Sequence, residues 1–173
     1  MKKGLLILMV ILSACAPQKE TAKADVHLVS ANGIGNEIGT VTFTDTDKGL
    51  KIDVDLKNLP QGEHGFHIHE HPSCEPAIDK DGTKKAALGA GGHFDPDHTG
   101  KHLGPDNHGH KGDLPVLNVA DDGTVKTTFY VQNLTAAETK DRSIMIHAGG
   151  DNYADTPQPL GGGGARIACG IIE

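Results

Sequence analysis

The sequence has no tryptophan, and with two tyrosines and four phenylalanines its aromatic residues reach only 3% of 173 positions. Large aromatic anchors are therefore scarce. Positive charge is also scarce. Sixteen Lys and Arg face 23 Asp and Glu, a formal charge of -7. Without Lys2 and Lys3, which belong to a leader, 14 basic side chains remain against 23 acidic ones, a balance of -9 that argues against nucleic acid as a partner. No apolar run is long enough to span a bilayer, and 173 residues are too few for two domains that each bury a full core. What the chain does have is 23 glycines and 11 histidines. Nine of those histidines (His64, His67, His69, His71, His93, His98, His102, His108, His110) fall between residues 64 and 110.

Lys2 and Lys3 precede a nine-residue apolar stretch, GLLILMVIL, with the length of a secretory h-region. It ends in Leu12-Ser13-Ala14-Cys15, which resembles the bacterial lipobox, whose cysteine becomes the acylated first residue of the mature chain. The expectation is a lipoprotein-type signal peptide over residues 1–14, Cys15 as lipidation site and membrane attachment, and a flexible tether over 15–24. A plain signal peptide cleaved near Ala14 or Ala16 is the alternative. The folded domain is then 25–173 and its location periplasmic. Only three cysteines are present, and assigning Cys15 to the lipid leaves Cys74 and Cys169, an even pair in an oxidising compartment. A disulfide between them is predicted; free thiols or thiolate metal ligands are the competing assignments.

Leu50, Ile52, Val54 and Leu56 alternate with Lys51, Asp53, Asp55 and Lys57, the period of a half-buried strand. Weaker strand patterns cover 26–29, 38–43, 65–69, 117–119, 125–131, 144–148 and 166–172, separated by Gly, Pro, Asn and Asp clusters. A sustained helical period is missing, and the best helical candidate is 135–141, at most two turns. Eight short strands give an all-β sandwich or barrel. The stretch from about 70 to 115 has almost no strand pattern, and loops of that length in a compact domain are usually functional.

His67 and His69 flank Ile68 on a predicted strand, so both imidazoles share one face. A lone H-x-H pair also suits a solvated strand face. Downstream, His93, His102, His110 and Asp113 supply three imidazoles and a carboxylate, a full tetrahedral zinc shell with no open position, as in a structural site. His147 can join His67 and His69 only through the tertiary fold. An imidazole-rich, thiolate-free site of that kind suits copper as well as zinc.

Several segments together are more specific: His64-Gly65-Phe66-His67-Ile68-His69-Glu70, Gly91-Gly92-His93-Phe94-Asp95-Pro96, Gly112-Asp113-Leu114-Pro115 and Gly164-Ala165-Arg166-Ile167-Ala168-Cys169-Gly170. In order and spacing, over residues 25–173, they resemble the copper/zinc superoxide dismutases. The runs Gly149-Gly150-Asp151-Asn152 and Gly161 to Gly164 look like the bacterial periplasmic branch. The resemblance implies an eight-stranded Greek-key barrel with long metal-binding loops, and disproportionation of superoxide to dioxygen and hydrogen peroxide by Cu(II)/Cu(I) cycling. It further implies one copper on His67, His69, His93 and His147, and one structural zinc on His93, His102, His110 and Asp113, with His93 bridging the two. Asp151 matches the aspartate that ties a copper ligand to a zinc ligand, Arg166 the arginine that docks the anion, and Cys74 with Cys169 the disulfide. Arg166 and His93 are the expected catalytic residues. His64 belongs to the motif without being a ligand, so a hydrogen-bonded structural role is expected of it. His27, His71, His98 and His108 receive no role.

An anionic substrate approaching an acidic protein needs local positive potential; Arg166 and the metals supply it, and Lys84 and Lys85, between Cys74 and His93, are the best basic pair available to aid them, against the plainer reading of a solvated loop pair. The competing functions are an inactive copper/zinc-binding protein on the same barrel, a zinc hydrolase, which needs an open zinc position, and a structural adhesion sandwich. The resemblance leaves a homodimer open.

Overall fold

The structure, a computed structural model, describes residues 19–173 apart from Asp106. The expected leader and Cys15 lie outside the described residues. Alternation builds the sheet. In β3 (Gly49–Leu56), Leu50, Ile52, Val54 and Leu56 are at most 2% exposed, while the intervening residues carry exposed ion pairs, Lys51 to Asp53 at 2.8 Å and Lys126 to Asp55 at 2.7 Å. Such pairs are screened by water and add little; the buried row does the stabilising.

β3 lies between β2 (Gly33–Thr46) and β9 (Val125–Val131), so that Ile52 faces Phe43 on one side and Phe129 on the other. With β1 (Thr21–Ser30), β5 (Phe66–His69), β10 (Arg142–His147) and β11 (Arg166–Ile172) they form a seven-stranded antiparallel sheet in the order β5-β10-β11-β1-β2-β3-β9. β3 and β9 are neighbours although the chain between them visits the opposite edge at β5, which is the Greek-key crossover. Phe66 on β5 and Phe129 on β9 approach to 6.5 Å between ring centroids, so the sheet curls until its two edges meet over the core. β4 (Gly62–His64) and β8 (Leu117–Val119) add a two-stranded ladder, and β6 (Ala77–Ile78) and β7 (Lys84–Lys85) a small hairpin. The all-β expectation holds, and each of the eight predicted strands is present.

Three details differ from the sequence reading. Strand β1 begins at Thr21, not after Ala24: Thr21 to Ala24 pair with Val41 to Thr44, and Ala22 and Ala24 are 3% and 1% exposed. Residues 21–24 of the tether expected over 15–24 are therefore strand, because two alanines at alternate positions suffice to fill the core face. The expected helix contracts to α1 (Ala136–Thr139), opened by a capping box between Thr135 and Glu138 and followed by Asp141 at φ 57. The strand expected over 65–69 starts one residue later, as β5 over Phe66–His69, and His64 lies on a separate strand before it.

The predicted disulfide forms. Cys74 and Cys169 have Cα atoms 5.7 Å apart and tie the segment after β5 to β11 across 95 residues of sequence.

Candidate metal centre

Strand β5 places the first two candidate ligands. Phe66 and Ile68 turn into the core, and His67 and His69 turn the other way, yet all four are buried. The cover comes from the long loop, whose ends run along β5's free edge. Phe94 N–H donates to the Ile68 carbonyl at 2.8 Å, Ile68 N–H to Gly112 at 2.9 Å, and Gly112 N–H to Phe94 at 2.9 Å. Any side chain at Gly112 would run into the Ile68 carbonyl, so the glycine is what lets the loop lie this close. His93 and Asp113 sit beside those bonds, bridged to His69 and His67. His147 ends β10, whose pairing with β11 slips by a bulge between Ile146 and His147. Bulges re-aim side chains in this way.

Hydrogen bonds fix which nitrogen of each ring is left over. His69 Nδ1 donates to Gly91 at 3.0 Å and His147 Nδ1 to Gly164 at 3.3 Å, while His67 and His102 each donate from Nε2 to one oxygen of Asp151, both at 2.7 Å. The remaining nitrogens, His67 Nδ1, His69 Nε2, His147 Nε2 and His102 Nδ1, together with His110 Nδ1, are buried without a hydrogen-bond partner among the described residues. An unsatisfied buried polar atom costs about 1–3 kcal/mol, so five gathered in one place call for a cation. His102 Nδ1 and His110 Nδ1 are 2.9 and 3.4 Å from the Asp113 carboxylate without hydrogen-bond alignment, which suits convergence on a common ion.

Ligand atoms of His67, His69, His93 and His147 all lie within 4.8 Å of one another, and so do those of His67, His93, His102 and Asp113. His110 reaches the second group through Asp113. His67 appears in both because its ring stacks on that of His93 at 4.0 Å. His93 is the hub: its centroid is 4.0, 5.0, 5.3, 5.4 and 6.0 Å from those of His67, His69, His102, His110 and His147. One imidazole shared by an all-histidine group and a histidine-carboxylate group is what a two-metal centre with a bridging ring requires.

Comparison with known proteins agrees. The profile of the copper/zinc superoxide dismutase (SODC) family matches residues 37–172. The chain is 50% identical to the Cu-Zn superoxide dismutase of Escherichia coli (strain K12) over 174 residues, covering all of both. It also matches the solved Cu/Zn superoxide dismutase of Brucella abortus at a TM-score of 0.86 and 50% identity, over 89% of this chain and 100% of that one. The monomeric copper, zinc superoxide dismutase of Salmonella enterica follows, at a TM-score of 0.77 and 53% identity over 90% and 100%.

The chain belongs to the copper/zinc superoxide dismutase family.

The electrostatics of this family member divide along His93. On the all-histidine side, burial and neighbouring cationic groups, Arg166 among them, drive His69 well below its ordinary pKa and His147 down to about 3. Burial likewise lowers His93 to about 4 against the pull of Asp113. These rings stay neutral and available as ligands, a set suited to copper. On the other side burial opposes charge, but Asp113 and Asp151 outweigh it and raise His102 to about 9; Asp113 also raises His110. Burial pushes the two carboxylates up, yet the imidazoles around them hold both well below the usual carboxylate range. An anionic carboxylate among imidazoles suits zinc.

Arg166, at the start of β11, donates from its two terminal nitrogens to the carbonyls of Ala87 and Gly91, both at 2.6 Å. The Gly91 carbonyl also takes the His69 proton, so the guanidinium borders the all-histidine group. His64 is buried and bonded to the His147 and Pro60 carbonyls at 2.7 and 2.8 Å, the structural role expected of it. Lys85 pairs with Asp79 at 3.4 Å on the exposed β6-β7 hairpin, and Lys84 is exposed. His71, His98 and His108 are exposed, and His27 bonds the Gly35 carbonyl at 3.2 Å.

Sequence reasoning missed Asp155, whose Oδ2 accepts the His102 backbone N–H at 3.0 Å, and Tyr153, whose hydroxyl accepts the Val116 N–H at 3.0 Å. Nothing local marks Asp155. Tyr153, one of two tyrosines in an aromatic-poor chain, carried a signal that could have been used.

Proposed function

We propose that the chain disproportionates superoxide, two superoxide anions and two protons giving dioxygen and hydrogen peroxide, with His67, His69, His93 and His147 holding copper and His93, His102, His110 and Asp113 holding zinc. The observation that carries this is His93, within ring contact of all five other ligand histidines. When bound, copper supplies the one-electron redox couple, and zinc, which has no redox chemistry, supplies charge and rigidity. The protein does the rest. His69 and His147 keep their Nδ1 protons on backbone carbonyls and so present Nε2 in a fixed direction. Asp151 does the same for His67 and His102 from the opposite side. His93 has Nδ1 on the Asp113 side, so its Nε2 is the atom that holds a proton for the departing peroxide. Arg166, its terminal nitrogens anchored by two carbonyls, keeps a directed positive charge beside His69 for a small anion, as a flexible lysine would not. That local charge offsets the acidity of the whole chain.

The test is metal analysis of the purified protein together with a superoxide disproportionation assay before and after chelation. One copper and one zinc per chain, with activity lost on chelation and restored by copper, is the expected result. Copper-loaded protein without activity would overturn the proposal in favour of a metal-binding protein.

The N-terminal sequence supports export to the periplasm and attachment through lipidated Cys15, ahead of the domain. Mass measurement of the mature N-terminus should find it starting at Cys15 with the added mass of acyl chains. An N-terminus cleaved near Ala14 or Ala16 and carrying no acyl mass would rule out the anchor and leave ordinary secretion.

A further inference from the structure

The orientation of the Asp113 carboxylate is set in part from outside the ligand set. Its Oδ2 lies 2.9 Å from His102 Nδ1 and accepts the backbone N–H groups of Leu103 and Gly104 at 3.2 and 3.3 Å, and its Oδ1 faces His93 and His110 at 3.0 and 3.4 Å. Whatever holds the Leu103 to Gly104 backbone therefore aims the carboxylate. Gly104 is buried under the ring of Tyr153, while Leu103 before it is exposed. A Cβ at Gly104, where φ is 76, would lie 2.7 to 2.8 Å from the Tyr153 ring and its Cβ, so the ring rests on a bare glycine. Tyr153 is itself fixed at three points. Its hydroxyl accepts the Val116 N–H at 3.0 Å, its backbone N–H donates to Asp151 Oδ1 at 2.8 Å, and its φ of 56 is one that a bulky residue keeps only when its surroundings impose it. The same turn ends in Asp155, which takes the His102 N–H at 3.0 Å, so the segment from 151 to 155 grips the loop at both His102 and Gly104.

We propose that Tyr153 is a positioning residue of the zinc half of the centre: its ring, seated on Gly104, fixes the two backbone amides that aim Asp113, and thereby sets how tightly zinc is kept. The inference rests on the assignment of Asp113 and His102 to zinc. The side chain concerns zinc and not copper, because its hydroxyl and ring meet Val116 and Gly104, while the contact Tyr153 makes to Asp151, which also orients His67, comes from its backbone N–H, which side-chain substitutions keep. Outer groups that orient a ligand contribute to metal affinity without touching the metal.

The test compares the parent protein with Tyr153→Leu, which keeps bulk but loses the flat ring and hydroxyl, and with Tyr153→Phe, which loses the hydroxyl alone. All three are loaded with copper and zinc and challenged with a chelator, release of each metal is followed separately, and the melting temperature of the metal-free proteins is recorded. Tyr153→Leu should release zinc about tenfold faster than the parent, at the low end of what outer-shell groups contribute, and Tyr153→Phe within about threefold of it. Copper release should be unchanged in both variants. Zinc release equal in all three proteins would overturn the inference, as would a parallel loss of copper, zinc and metal-free stability, which marks a merely structural tyrosine. A parent protein that takes up no zinc would instead remove the zinc assignment beneath it.

Discussion

The Asp151→Ala variant is expected to bind copper and zinc each about 10–100-fold more weakly than the parent and to lose activity in proportion, because one carboxylate orients a ligand in both halves. Asp151 receives the Nε2 protons of His67 and His102, both at 2.7 Å and both on rings with no exposed side-chain surface. Alanine would leave two buried N–H groups without acceptors and both rings free to turn, so the nitrogens meant for the metals would no longer point at them. The effect is sharpened by Gly161, where any Cβ would run into the Asp151 carboxylate: the chain has kept that space for the acid. Asp151→Asn keeps the shape and one acceptor oxygen, and should fall between. Titration of each metal against a competing chelator reads the result. Loss of only one metal would show that the two halves are not coupled through Asp151.

The second large effect concerns the disulfide. Replacing both Cys74 and Cys169 by serine removes a crosslink across 95 residues. Removal of a native disulfide costs about 2–5 kcal/mol, which for a chain of this size is a fall in melting temperature of roughly 4–20 °C. Activity should fall as well, by about tenfold if one charge-assisted hydrogen bond of Arg166 is lost. The reason lies in the chain path. Ala87 and Gly91, whose carbonyls hold the Arg166 guanidinium, lie between Cys74 and His93, and Cys169 is three residues beyond Arg166 on β11. The disulfide thus fastens the clamp to the strand that carries the arginine. Thermal unfolding and the disproportionation rate, measured on the same serine variant, separate the two effects. A destabilised variant with an unchanged rate would show that Arg166 does not depend on the crosslink.

Strand content was legible wherever a side chain's partner lies across a ladder. Leu117 to Val119, Val125 to Val131 and Arg166 to Ile172 emerge with the boundaries their alternation suggests. The start of β1 was not legible, since Ala22 and Ala24 fill the core with too little side chain to register as a hydrophobic period. Most of the proposed ligands stood out by chemical type, as histidines concentrated between residues 64 and 110; His147 and Asp113 lie outside that stretch. How they are aimed did not, because it depends on backbone carbonyls and amides. Gly91 and Gly164 fix two imidazole tautomers, Leu103 and Gly104 turn Asp113, and Ala87 anchors Arg166. A peptide group carries no mark of such duties in a sequence. The β-bulge that turns His147 toward β5 is equally silent, since it arises from the pairing of two strands far apart in the chain.

The central claim is that His93 is shared between two different metals, and anomalous diffraction from crystals of the copper- and zinc-loaded protein, collected on either side of each metal's absorption edge, tests it most directly. The copper peak should fall among His67, His69, His93 and His147 and the zinc peak among His93, His102, His110 and Asp113, with the His93 ring between them. Both metals in one group, or a His93 ring bound to only one of two peaks, would contradict the account.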